Sequence, residues 1–450
     1  MKRAVLLTAA ALVFAAPFAT AQSQRLETSA AAVAPLPVNR FSALWAHLGD
    51  PYAEELAARV LRDNPDILRM AARLDEARAV TAGAGGRLKP RVDAAVSASH
   101  GNDQIGVTDS ESLVRGGFEA RWELDLSGRL RAGVAAAQAG EARDEALYED
   151  AAHAVLARMS EGLVTARMLA SQARALEASL KAQDETITLL RSRQSAGLNE
   201  ATRLELALST RARTAARWSE IASRYSDALI GLERITGVPV AELEARLNSD
   251  DLTVPQDGWV TAVPLDRLRG NPALRAAFAQ AQAADALAVE ARAVRWPSLS
   301  LTAFLGVQDG SDGLRLAGNP IGSLAAALTA PLFNAGQLKS QETAAVARRD
   351  QAKAAYESAV RDALADASLA VNGFDRAQTL RDGYLAAQAH DAELERLAAR
   401  RADSGLVSVI EVSEAQDRLA QAQLQVAEAT GAGHLAYIAL MRSQGPGGLQ

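Results

Sequence analysis

The spacing of apolar and polar positions changes along this chain, and it changes twice in the same way. From Tyr52 to Leu88 the pattern is helical, interrupted at Asn64-Pro65, where proline breaks or kinks a helix. From Arg91 the period falls to two: Val92, Ala94, Val96 and Ala98 point one way, Asp93, Ser97 and Ser99 the other. After a Gly-, Asp- and Ser-rich stretch the alternation resumes. Phe118, Ala120, Trp122, Leu124 and Leu126 then share one face, and Glu119, Arg121, Glu123 and Asp125 the other. From Leu130 to Ala196 there is no proline, which predicts a helix of about 67 residues, or ~100 Å at 1.5 Å per residue. Seam positions along it recur four and three apart, through Leu169, Ala173, Leu176, Leu180, Gln183, Ile187 and Leu190, apolar except at Gln183. A return helix follows, with Trp218, Ile221, Tyr225, Ala228, Leu232 and Ile235 on its seam.

The chain then repeats itself. Asn64-Pro65 recurs as Asn271-Pro272 and Lys89-Pro90 as Trp296-Pro297, both 207 residues on. Gly128-x-Leu130 recurs as Gly336-x-Leu338 and Ala196-Gly197-Leu198 as Ser404-Gly405-Leu406, both 208 residues on. Landmarks that keep order and spacing imply two structural copies. The second set of strands places Leu299, Leu301, Ala303 and Leu305 against Ser298, Ser300 and Thr302, then Leu324, Ala326, Leu328 and Leu332 against Ser323 and Thr329. The second long helix runs from Leu338 to Asp403, with a seam at Val360, Leu364, Ala367, Val371 and Phe374. Each half therefore reads helix, strand, loop, strand, very long helix, turn, long helix. The expected organisation is a targeting segment at 1–21, an extended segment at 22–51, a first repeat at 52–247, a connector at 248–264, a second repeat at 265–443 and a tail at 444–450.

Strands of about ten residues with strict alternation have the length and pattern of outer-membrane barrel strands. The same pattern suits a half-buried hairpin on a soluble protein. Four strands cannot close a pore, and lipid does not tolerate unpaired strand edges. If the strands lie in a membrane, several chains must share one barrel, in a number that this reasoning leaves open. The helices read as coiled-coil seams, with Ala allowing close approach and charges such as Arg191, Arg193, Arg400 and Arg401 on the other faces.

Composition narrows the chemistry. Lys2 and Arg3, the apolar run from Ala4 to Ala16, and Ala19-Thr20-Ala21 before Gln22 read as a secretory signal peptide. The chain has no Cys, which excludes disulfides, thiolate metal sites and a lipid on an N-terminal Cys of this sequence. The formal net charge of −6 leaves no footprint for nucleic acid. His47, His100, His153, His390 and His434 lie far apart in sequence, and each is expected on the surface or in a loop. With no nucleotide, dinucleotide or metalloprotease motif present, no cofactor, metal or reaction is assigned.

The chain resembles the TolC-like outer-membrane efflux family, whose members include the OprM and NodT types. The resemblance covers nearly the whole chain beyond the targeting segment. It rests on the twofold repeat, Phe41-Ser42-Ala43-Leu44-Trp45 with Gly49-Asp50-Pro51, the Asn-Pro pairs and the paired Gly-Leu turns. It implies a mainly α fold with a small β part: a long coiled-coil α-barrel, with four strands per chain contributed to a shared trimeric 12-stranded transmembrane β-barrel.

The resemblance further implies an exit duct of a tripartite efflux system in the outer membrane of a Gram-negative bacterium. The duct would extend into the periplasm as a homotrimer, with a periplasmic adaptor and an inner-membrane transporter as partners. The turns at Gly197-Leu198 and Gly405-Leu406 match the helix tips that seat the adaptor, although they also suit an ordinary helix-helix turn. Glu411 and Glu414 match acidic residues that ring the narrowest point of the tunnel. Arg203 stands where relatives often place an Asp, and is expected to pair with Glu411 or Glu414 as a latch. The exit duct of a protein-secretion system would share this fold, and a soluble periplasmic coiled-coil scaffold is the alternative of another class.

Overall fold

The computed structural model describes residues 33–101, 111–197, 201–247, 268–309, 320–404 and 406–446. The targeting stretch, the whole connector and the last four residues lie outside this set. Two short 3-10 turns (Val38–Leu44 and Ala46–Leu48) precede helices α1 (Pro51–Asp63) and α2 (Pro65–Gly86), strands β1 (Arg91–Gly101) and β2 (Glu111–Leu124), and helices α3 (Arg129–Ser195), α4 (Ala201–Thr236) and α5 (Val240–Leu247). The second half supplies α6 (Pro272–Ala293), β3 (Ser298–Asp309), β4 (Pro320–Thr329), α7 (Gln337–Asp403) and α8 (Val409–Gln444).

The two halves match in length and in detail. The long helices α3 and α7 have 67 residues each, and the return helices α4 and α8 have 36 each. Each long helix follows a left-handed glycine, Gly128 at φ 77° and Gly336 at φ 85°, a conformation that costs glycine nothing. The Asn-Pro pairs are helix starts. Asn64 accepts from the Asp66 N–H at 3.0 Å and Asn271 from the Ala273 N–H at 2.9 Å, with proline at the first helical position, where no N–H is needed. Each Asn amide also donates to the end of its half's return helix, Asn64 to the Ile235 carbonyl at 3.0 Å and Asn271 to that of Ser443 at 2.9 Å. The repeated Asn thus caps one helix while tying it to another.

Helix α3 is the spine, packed against α2, α4, α6 and α8. Its predicted seam is the buried one: Leu169 and Leu176 meet Ile221 and Leu424, and Ile187 and Leu190 meet Leu204 nearer the tip. In α7 the seam residues Ala367 and Phe374 are buried, but Leu369, Leu380, Leu394 and Leu397 remain exposed within one chain.

Within the segment expected to be extended, Val38–Leu44 and Ala46–Leu48 are instead wound into 3-10 turns, and Phe41, Leu44 and Leu48 enter the core that also holds Leu156, Met159 and Leu163. Polar ties hold it there. Arg40 donates to Glu149 at 2.9 and 3.1 Å, Arg275 reaches the same carboxylate, and Asp50 pairs with the buried Arg167.

Three histidines are interior rather than on the surface. His153 and His434 are buried, and both ring nitrogens of His47 are shielded. The His47 ring centroid lies 5.1 Å from that of His434 and 4.6 Å from that of Tyr437, while His153 lies 5.9 Å from Phe41. Sequence separation concealed this contact between the start and the end of the chain. His390 is exposed as expected, and the side chain of His100 lies outside the described residues.

The strands form one antiparallel sheet in the order β1-β2-β3-β4. Register aligns Val92 with Ala120, Ala94 with Phe118, Phe118 with Leu305, Trp122 with Leu301, Leu299 with Leu328 and Ala303 with Leu324. One face is therefore apolar across all four strands, and it is open: Val96 is 71% exposed, Leu305 68% and Leu324 79%. The other face carries the predicted polar set. Leu126 and Leu332, expected to continue the apolar face, lie beyond the ends of β2 and β4. Among the described residues no helix is long and apolar enough to cross a membrane.

Two outcomes follow. Asn271→Ala removes a cap and an inter-helix tie, and is expected to cost about 1–2 kcal/mol, read as a lowered midpoint of thermal unfolding. Burial, reinforced by the nearby His434, holds His47 down to about 3; burial, reinforced by Arg442, holds His153 down to about 4. Both stay neutral when folded, while the unfolded chain takes up protons below about 6.5. Stability is complete above that pH and falls by about 1.4 kcal/mol per pH unit for each histidine on the way down to pH 4. Thermal melts of the detergent-solubilised protein should show this decline, with a shallower slope for His153→Gln.

Candidate functional site

The candidate gate is assembled at the ends of the long helices. At the first tip, Gly197 closes α3 at φ 81°, donating its N–H to the Gln194 carbonyl at 3.0 Å. Leu198 lies outside the described residues. At the second tip, the Leu406 N–H bonds the Arg401 carbonyl at 2.8 Å and the Leu406 side chain is 70% exposed. Gly405 lies outside the described residues. Arg193 in the last turn of α3, with Arg400 and Arg401 in that of α7, complements the helix dipoles and makes both tips basic.

The return helix α8 starts at Ser408, whose hydroxyl accepts from the Ile410 N–H at 3.3 Å. Glu411 sits in the first turn, where the dipole favours an anion, and Glu414 follows one turn later; both are exposed. Arg203 is exposed in the first turn of α4. Since α4 and α8 both lean on α3, the structure brings Arg203 and the two glutamates to the same end of the molecule.

Sequence reasoning overlooked the next acidic residue on this face. Asp417 follows Glu414 by three positions, the spacing already seen between Glu411 and Glu414, but its role depends on what α3 presents. Gln183 Nε2 donates to Asp417 at 2.6 Å and to Thr214 Oγ1 at 3.0 Å, and Ser179 Oγ lies 3.5 Å from the same carboxylate oxygen. Gln183 is 1% exposed within an otherwise apolar seam. Burial pushes the Asp417 carboxyl above the usual carboxylate range, the Gln183 and Ser179 hydrogen bonds oppose this, and the charge of Glu414 adds to it. The network ties α3, α4 and α8 together above the gate.

Comparison with known proteins gives this geometry a family. The model of the outer membrane efflux protein family matches residues 56–238 and 264–446, once in each half. The chain belongs to the outer membrane efflux protein family. The pyoverdine export outer membrane protein OpmQ of Pseudomonas putida is 28% identical over 438 residues, covering 90% of this chain and 87% of that protein. The toluene efflux pump outer membrane protein TtgF of Pseudomonas putida is 29% identical over 401 residues, covering 84% and 79%. The solved structure of the outer-membrane channel OprN superimposes with a TM-score of 0.84 at 24% identity, over 96% of this chain and 98% of that one. These likenesses place the chain among outer-membrane efflux channels. Its fold is the TolC-like one, in which a twofold repeat supplies long helices and four strands.

The Gln183–Asp417 contact generates a test of this region. Gln183→Leu leaves the half-buried carboxylate without its shortest donor and is expected to cost about 1.5–3 kcal/mol, measured by circular dichroism on heating.

Proposed function

We propose that this chain is the exit duct of a tripartite efflux system, a homotrimer in outer-membrane lipid that passively releases small molecules delivered by an inner-membrane transporter through a periplasmic adaptor. The observation that carries the reading is the sheet: one wholly apolar face, open edges on β1 and β4, and its attachment to helices of 67 residues. In hydrocarbon those edges require other strands, and three copies supply a closed ring of twelve. The leucines left exposed on α7 favour the same assembly, because neighbouring copies would cover them. The named activities of the relatives, pyoverdine export and toluene efflux, support small-molecule export.

Within this duct Glu411 and Glu414 of three chains form a six-carboxylate constriction that favours cations. Arg203 latches the closed state by pairing with one of them. The tips at Gly197, Leu198, Gly405 and Leu406 seat the adaptor, through basic helix ends and an exposed leucine.

The experiment is conductance of purified trimers in planar bilayers. Glu411→Gln with Glu414→Gln is expected to reduce the preference for potassium over chloride, and Arg203→Ala to raise the open probability. Unchanged ion preference would overturn the carboxylate ring, and unchanged gating the latch. Monomeric protein recovered without detergent and forming no channel would overturn the duct itself.

A further inference from the structure

The polar face of the sheet carries an arrangement that neither the gate nor the tips use. Arg115, Gly117, Glu119, Arg121 and Glu123 alternate along this face of β2, with Arg115 opposite Gln308 and Gly117 opposite Gly306 on β3. Nearer the helices the charges are matched, Arg121 to Glu119 at 2.8 Å and Arg129 to Glu123 at 2.7 Å. Arg115 is held differently. Its guanidinium carbon lies 3.5 Å from the centroid of the Phe304 ring, and its Nε is enclosed.

Phe304 is only 8% exposed on an otherwise open sheet. The opposed glycines explain this. A Cβ on Gly117 would fall 2.6 Å from the Gly306 Cα and 2.8 Å from Phe304 Cζ, and a Cβ on Gly306 would fall 2.7 Å from the same Cζ. Bare backbone on both strands thus leaves a recess. The Phe304 ring fills the recess, and the Arg115 guanidinium covers the ring.

We propose that Arg115 and Phe304 form a cationic collar inside the barrel that favours anionic solutes in the exit path. The inference rests on the shared-barrel reading above, in which the polar face lines the lumen and three such pairs stand at one level. Guanidinium keeps its charge at every working pH, and stacking on the ring fixes its position. Rings of arginine bias a pore toward anions. The collar therefore opposes in sign the carboxylates at the far end of the duct, so that a solute meets acidic groups on entry and basic groups on exit.

The test is the reversal potential of single channels in a potassium chloride gradient, using the Glu411→Gln/Glu414→Gln channel so that the tip carboxylates do not mask the barrel. Adding Arg115→Gln is expected to shift the reversal potential toward the potassium equilibrium, whereas Arg115→Lys, which keeps the charge, largely preserves it. Phe304→Leu keeps the arginine but removes its platform, and is expected to weaken the anion preference without abolishing it. Channels whose ion preference is the same in Arg115→Gln and in Phe304→Leu as in their parent overturn the collar. A parent protein that forms no channel overturns the duct reading instead.

Discussion

An unpaired strand edge in hydrocarbon is the condition on which this molecule is organised. Each backbone N–H or C=O left without a partner there costs several kcal/mol, since no water is present to replace it. The sheet of one chain has an edge at β1 and another at β4, and its apolar face spans all four strands in register. Such a sheet has no stable solution alone in lipid. Closure by further copies satisfies the edges, and it also gives the polar face a water-filled interior. Glu119, Arg121 and Glu123 then line a channel and stay hydrated.

The helical part obeys a different constraint. A helix of 67 residues cannot bury its surface against itself, so α3 takes α2, α4, α6 and α8 as partners along its length. The ties are concentrated at the level where the halves meet, through Asn64, Asn271, the Asp50–Arg167 pair and Glu149 with its two arginines. Toward the tips the packing thins to small clusters around Leu169 and Leu190, with the Gln183–Asp417 contact between them. The packing is therefore densest at the middle of the helical part and lightest toward the end that carries Glu411 and Glu414.

Some of the candidate site was legible as spacing. Gly197-Leu198 and Gly405-Leu406 stood out because the pair recurs 208 residues on, and Glu411 with Glu414 shares a helix face by the helical period alone. Contacts between distant segments were not legible. His47 and His434 are separated by nearly the whole chain, and their burial follows from the N-terminal segment folding against α8. Arg115 and Phe304 belong to different repeats and meet only because β2 pairs with β3.

By itself the sequence determined the two-copy plan, the length of the helices, the strand faces and the four-and-three seam, because all of these are periodicities and periodicity is a local property. Tertiary structure decided which buried polar groups act together. The pairing of the Gln183 amide with Asp417, the seating of Phe304 over Gly117 and Gly306, and the interior place of His153 each depend on what a second element presents at that position. A hydrogen bond or a recess needs two surfaces, and a linear pattern describes only one of them.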